Sequence, residues 1–191
     1  MTTLPLATVG DPVLRQRARE VTPDELRSVE TQRLIDDMIE TMRAAGGAGL
    51  AANQVSSLRR IAVVEVDHNP RYPYKPPIPL TVIVNPVLEP LSDETLLLNE
   101  GCLSVPDLRG DLERHVTVRV RFVDRYGASR DLVAEGLTAG TFQHEVDHLD
   151  GVLFLDRVRD PHSFSTWEQF ERHHKRAFLK RVAPWVADAV A

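Results

Sequence analysis

The chain has 191 residues, 42% of them hydrophobic and 27% charged, which suits one compact domain that buries roughly 70% of its unfolded surface. A net charge of −5 argues against a general nucleic-acid or anionic-membrane binder, so neither DNA nor a membrane is an expected partner. One cysteine excludes an internal disulfide, the opening Met1-Thr2-Thr3-Leu4-Pro5-Leu6 has no basic region ahead of a long apolar run, and no stretch approaches about 18 apolar residues; a soluble, cytoplasmic protein is expected.

In chain order, Thr22-Pro23-Asp24-Glu25 reads as a capping box with proline at N1. Leu34, Ile35, Met38, Ile39 and Met42 then form the apolar stripe of a helix that ends near Gly46-Gly47. Gly47-Ala48-Gly49-Leu50-Ala51-Ala52-Asn53-Gln54 is a turn of small residues; its glycines also let backbone approach a ligand, and Gln54 offers an amide donor. Ile61 to Val66 is a buried strand, followed by the proline-rich loop of Pro70 to Pro77. Thr81 to Leu88, Thr95 to Leu98 and Val116 to Val123 are further strands, the last alternating apolar residues with Thr117, Arg119 and Arg121. Ser129 to Ala134 pairs back on it across the turn Asp124-Arg125-Tyr126-Gly127.

A second helix is expected over Ala139 to Asp150, with Thr138 as N-cap and Gly151 as C′ stop before an extended run from Val152 to Leu155. Ser165-Thr166-Trp167-Glu168 opens a tail helix, with Phe170, Phe178 and Val182 on its apolar side and Pro184 interrupting it. Strands followed by one central helix give an α+β architecture: antiparallel or mixed sheets packed around that helix, with an N-terminal and a C-terminal helix. The whole reads as one domain, 1–191, with a helical tail from about 163 to 191.

The central helix carries Gln143-His144-Glu145-Val146-Asp147-His148-Leu149-Asp150-Gly151. His144 and His148 stand one turn apart on one face and can offer imidazole nitrogens to one ion. Glu145 sits about 100° round from His144, close enough to touch a water on that ion without ligating it. Cys102, in Glu100-Gly101-Cys102-Leu103-Ser104-Val105-Pro106, is by itself a small hydrophobe as most free cysteines are. Two histidines, however, leave a divalent ion short of the three protein ligands usual in a catalytic site, and a thiolate supplies the third while one position stays open.

These three segments, GxGLAAxQ at Gly47 to Gln54, EGCLS at Glu100 to Ser104 and QHExDHLxG at Gln143 to Gly151, resemble in kind and order the motifs of the peptide deformylases. The likeness extends through Gly10-Asp11-Pro12-Val13-Leu14-Arg15 and Gly151-Val152-Leu153-Phe154, covering about residues 5 to 160. It implies hydrolytic removal of the N-formyl group from the initiator methionine of new polypeptides, with release of formate. It implies one divalent metal ion, Fe²⁺ by family, with Zn²⁺, Ni²⁺ or Co²⁺ also compatible with Cys102, His144 and His148 as ligands. Glu145 would be the general base, and the Gln54 amide and the backbone N–H of Leu103 would meet the developing oxyanion. Glu100 and Arg114 match a family ion pair that fixes the cysteine segment, and Arg109 a position near the bound peptide backbone. Gly49, Leu98, Leu103 and Leu137 match the methionine side-chain pocket. The chain departs from the usual pattern at Ala48 and Gly140, where larger residues are common, which bears on pocket width and helix rigidity.

Two rival readings use the same residues. A zinc endopeptidase of the HExxH type needs a third ligand downstream, where His162, His173 and His174 are the histidines available. A metal-bound scaffold that recognises peptides or ribosomes would have no need of Glu145 and Gln54. Between Glu171 and Arg181 the tail sets Arg172, Lys175, Arg176, Lys180 and Arg181 against one acid. Such a face is a solvated helix surface, or a dock for ribosomal RNA where nascent chains emerge.

Overall fold

A computed structural model describes residues 2–67 and 69–186 as two antiparallel sheets with one buried helix touching both. Thr22 Oγ1 accepts from the Glu25 amide at 3.2 Å while Glu25 accepts from the Thr22 amide at 3.0 Å, so the capping box starts α1, Pro23–Arg27. The helix stops there. Ser28 is extended and its Oγ accepts from the Thr31 amide at 3.2 Å, capping a second helix, α2, Val29–Ala44. Two helices thus stand where the apolar spacing predicts one, because a second capping residue intervenes.

The larger sheet has the order β1 (Gly49–Ala51), β2 (Ile61–Val66), β3 (Ile78–Pro90), β6 (Thr117–Val123), β7 (Ser129–Glu135). The smaller pairs β4 (Thr95–Cys102) with β5 (Val105–His115) and then β8 (Ser165–Thr166). On β2 the pleat sends Ile61 and Val63 to the side of Ile35, Met38, Ile39 and Met42 of α2, and Ala62, Val64 and Val66 to the side of Phe142, Val146 and Leu149. With a helix over each face, the strand reads as an unbroken apolar run. Each such side chain taken fully out of water contributes about 1.5–3 kcal/mol before entropy is counted.

The central helix, α3, runs Gly136–Leu149, starting ahead of the expected Ala139. Thr138 therefore lies inside it, and no side chain caps its start at Glu135. Gly151 has φ +77°, and a Cβ there would sit 2.7 Å from the Arg15 carbonyl oxygen, so the stop after α3 requires glycine on two grounds. The run from Val152 to Leu155 is no strand: Asp156 accepts from the Leu153 amide at 2.8 Å and winds Phe154–Arg157 into a 3₁₀ turn. Strand β5 is absent from the sequence expectation, since Pro106, Gly110 and interspersed charges mask its alternation.

In the tail, Thr166 accepts from the Gln169 amide to open α4, Trp167–Gln169; a π turn, Phe170–His174, leads into α5, Lys175–Val182. Phe170, Phe178 and Val182 are buried with Leu96, Leu98 and Leu137, so the tail completes the core of the smaller sheet. The last stretch of the expected helical tail, 187–191, lies outside the described residues.

Candidate active site

Strand β4 and helix α3 bring the three sequence-predicted ligands together. The register of β4 on β5 shifts between Gly101 and Cys102, and this irregularity carries the cysteine toward α3. Cys102 Sγ lies 3.1 Å from His148 Nε2, and one donor atom from each of Cys102, His144 and His148 falls within 4.8 Å of the other two. Among the described residues these form the one cluster of this kind; His162, His173 and His174 take no part in it.

Each ligand candidate is held from behind. His144 Nδ1 donates to Glu100 Oε2 at 2.8 Å, which leaves Nε2 for the cluster. Glu100 also accepts a two-pronged bond from Arg114 at 2.8 and 2.9 Å, so the expected ion pair is present. The guanidinium of Arg114 reaches on to Asp147, which in turn accepts two bonds from Arg157. The His148 carbonyl accepts from Asn53 Nδ2 at 2.5 Å. The Ser104 amide points at Cys102 Sγ from 3.3 Å.

The electrostatics suit a cation. Burial disfavours the Cys102 thiolate, but His148 and His144 together outweigh it and bring the thiol down to about 5. Burial likewise opposes ionisation of Glu100, yet Arg114 and His144 hold it well below the usual carboxylate range. Burial lowers His144, and its contacts with Cys102 and Glu100 reverse this and raise it. Glu145 is pushed up, chiefly by burial; it is 3% exposed, and its Oε2 has no protein partner. Converging donors, a thiol that ionises readily and a buried free carboxylate oxygen all fit a divalent metal ion with a base beside it.

The cluster opens onto a cavity of about 60 Å³ lined by residues from all three sequence motifs. Gln54 Nε2 lies 3.0 Å from Ser104 Oγ and 3.6 Å from Cys102 Sγ, its Oε1 held by the Ala51 amide at 2.9 Å. Gly49 faces Glu145 so closely that a Cβ would stand 2.3 Å from Oε1. Leu98, Leu103 and Leu137 all line this cavity. At Gly140 a Cβ would fall 2.4 Å from Leu98 Cδ1, so Leu98 fills the space a larger helix residue would take. Ala48 lies in the core beside Ala51 and Ala62. Arg109, at 1% exposure, is no surface arginine: it bonds Asn99 at 2.7 and 2.9 Å and lies 4.3 Å over Trp167 and 4.5 Å over Phe170.

Several wall and support residues escape sequence reasoning. Tyr72, Tyr74 and Lys75 from the proline-rich loop and Phe178 from the tail line the cavity, and Asp147 anchors Arg114. The one sequence signal for Asp147 is its place between the two histidines; nothing local marks the other four.

An α+β fold that sets a cysteine, two histidines one turn apart and a buried carboxylate at the wall of one cavity defines a mononuclear metallohydrolase. The sequence model of the polypeptide deformylase family matches residues 3–164. The chain is 42% identical over 160 residues to peptide deformylase 1 of Nitrosomonas europaea, covering 84% of this chain and 90% of that one. It is 49% identical over 152 residues to peptide deformylase 1 of Corynebacterium glutamicum, 80% and 84% of the two chains. The class I type b peptide deformylase of Acinetobacter baumannii, solved with Met-Ala-Ser bound, superposes with a TM-score of 0.79 at 41% identity over 82% of this chain and 99% of that one. The chain belongs to the polypeptide deformylase family.

Proposed function

We propose that this enzyme hydrolyses the N-formyl amide of N-formylmethionine at the start of nascent polypeptides, giving formate and a free α-amine. The observation that carries the reading is the convergence of Cys102, His144 and His148 within 4.8 Å, beside the buried Glu145, at the wall of one cavity. Cys102, His144 and His148 would hold a divalent ion, which would supply Lewis acidity and make a water beside it ionisable near neutral pH. Glu145 takes the proton of that water and returns it to the nitrogen as the C–N bond breaks; its raised affinity for protons suits both halves of the task. The Gln54 amide and the Leu103 N–H donate to the formyl oxygen as charge builds on it, each worth about 10²–10³ in rate. Glu100, fixed by Arg114, orients His144. Arg109 and Asn99 form a rigid wall along which the peptide backbone lies.

We assign Fe²⁺ as the working ion on family grounds, although one thiolate and two imidazoles also accept Zn²⁺, Ni²⁺ or Co²⁺. The reaction belongs in the cytoplasm, where a lone thiol stays reduced; among the described residues no helix is long and apolar enough to cross a membrane. Metal-loaded protein incubated with a formyl-methionyl tripeptide is expected to release formate and free amine in equal amounts, and Cys102→Ala to lose both metal and turnover. Cleavage of an internal peptide bond, or wild-type metal affinity in Cys102→Ala, would overturn the assignment.

The same reading extends to the ribosome as partner. Arg172, Arg176 and Lys180 are exposed on the tail, whereas Lys175 pairs with Glu171 and Arg181 with Asp111. Because Phe170 and Phe178 are core residues, the test is charge reversal, not truncation. Co-sedimentation with ribosomes at low salt, lost at moderate salt and in the Arg172→Glu/Arg176→Glu/Lys180→Glu variant, supports docking; equal binding by both proteins, or none by either, sinks it.

A further inference from the structure

The cavity beside Glu145 holds a primary amine that hydrolysis does not use. Lys75 enters from the proline-rich loop between β2 and β3, and its Nζ donates to Thr141 Oγ1 at 2.9 Å. Thr141 lies on α3 one turn ahead of Glu145, about 6 Å along the axis. Its one hydroxyl proton is already committed, since it donates to the Leu137 carbonyl at 3.1 Å. Nζ stands 4.9 Å over the Tyr72 ring, and no carboxylate pairs with it among the described residues. An ammonium has three donors and one is used here. Leu98, Leu137 and Phe178 add hydrocarbon to the wall of the same cavity, and Glu100 and Glu145 act on the amine by charge without bonding it. Burial draws the amine down to about 8, so it is still mainly charged at neutral pH.

On the deformylase reading, the formyl carbon sits between Glu145 and the Cys102, His144, His148 cluster. The α-carbon of the formylated residue follows two bonds away, and the cavity continues along α3 toward Thr141 and Leu137. Its side chain therefore ends against Lys75. A hydrocarbon tip offers the remaining ammonium protons no partner, a thioether sulfur pairs them weakly, and a sulfoxide oxygen at the same place pairs them well. We propose that Lys75 is a specificity-determining residue that makes this enzyme favour formylated side chains of methionine length with a hydrogen-bond acceptor at the tip, methionine sulfoxide first, methionine next and norleucine last. Such an enzyme would clear the formyl group from chains whose first residue has already been oxidised.

The test, which rests on that reading, compares formyl-methionine sulfoxide, formyl-methionine and formyl-norleucine peptides of one sequence. The wild type is expected to prefer the sulfoxide over norleucine by at least about tenfold in kcat/KM. In Lys75→Met, which keeps the apolar stem, the preference should vanish, and it should vanish through KM and not through kcat. Lys75→Arg should retain the order, and Thr141→Val, which frees the amine without removing it, should retain it in weakened form. Unfolding midpoints measured alongside identify any variant that fails to fold, and Lys75→Arg then decides. The same preference in wild type and Lys75→Met, or a wild type that favours norleucine, would overturn the proposal while leaving deformylation intact; no formate from any peptide would overturn both.

Discussion

Gly49 and Glu145 show how little room the chemistry has. A Cβ at position 49 would lie 2.3 Å from Glu145 Oε1, so Gly49→Ala must displace the carboxylate. Since a misplacement of about 1 Å costs on the order of 10² in rate, this variant should lose about that much kcat while binding its metal normally; parallel assays of turnover and metal content check both. Lys75 makes a second prediction, about pH. Its pKa falls from 10.5 in the free chain to about 8 in the fold, chiefly through burial, so folding penalises the charged amine. The penalty is complete below pH 8, fades as the pH rises from there, and is gone above 10.5, where the amine is neutral in both states. Lys75→Met should thus be more stable than wild type by about 1–3 kcal/mol at pH 7, with the gap closing near pH 10 in urea titrations. At this scale His144, His148 and Glu145 were legible as candidate ligands and base from their spacing on one helix, whereas Cys102, 42 residues upstream of His144, entered only because a catalytic ion wants a third protein ligand. Lys75, Asn99 and Phe178 were not, since their roles arise from contacts between segments far apart in the chain.

Among the elements, the capping residues set the boundaries more firmly than the apolar periods do. Ser28 divides what reads as one helix, and its Oγ bond to the Thr31 amide is worth about 1 kcal/mol. Ser28→Ala should lower the melting temperature by about 2–4 °C with unchanged deformylation, as calorimetry and an activity assay would show. Strands β2, β6 and β7 were readable because an apolar run or a hairpin turn marked them. Strand β5 was hidden: it spends Arg109 and Arg114 inward on Asn99, Glu100 and Asp147, so its buried side is charged where a strand signal needs apolar residues. The site therefore obscured the very strand that supports it. The α3 start was misplaced for a related reason, as no side-chain cap announces Gly136.

The whole molecule places a polar, strongly coupled centre between two sheets, and the proline-rich loop and the tail add Tyr72, Tyr74, Lys75 and Phe178 to the wall of its cavity. Arg114 of β5 ties strand β4 to helix α3 through its ion pairs with Glu100 and Asp147. On the outer face of the tail, among the described residues, Arg172, Arg176 and Lys180 are exposed while Lys175 and Arg181 pair with Glu171 and Asp111. The central claim is that Cys102, His144 and His148 hold the ion while Glu145 moves the proton. The most direct measurement determines metal content and formate release on one preparation of Glu145→Ala. Full metal content with kcat/KM lowered by at least about 10² is the predicted result; near-normal turnover with the metal retained would contradict it.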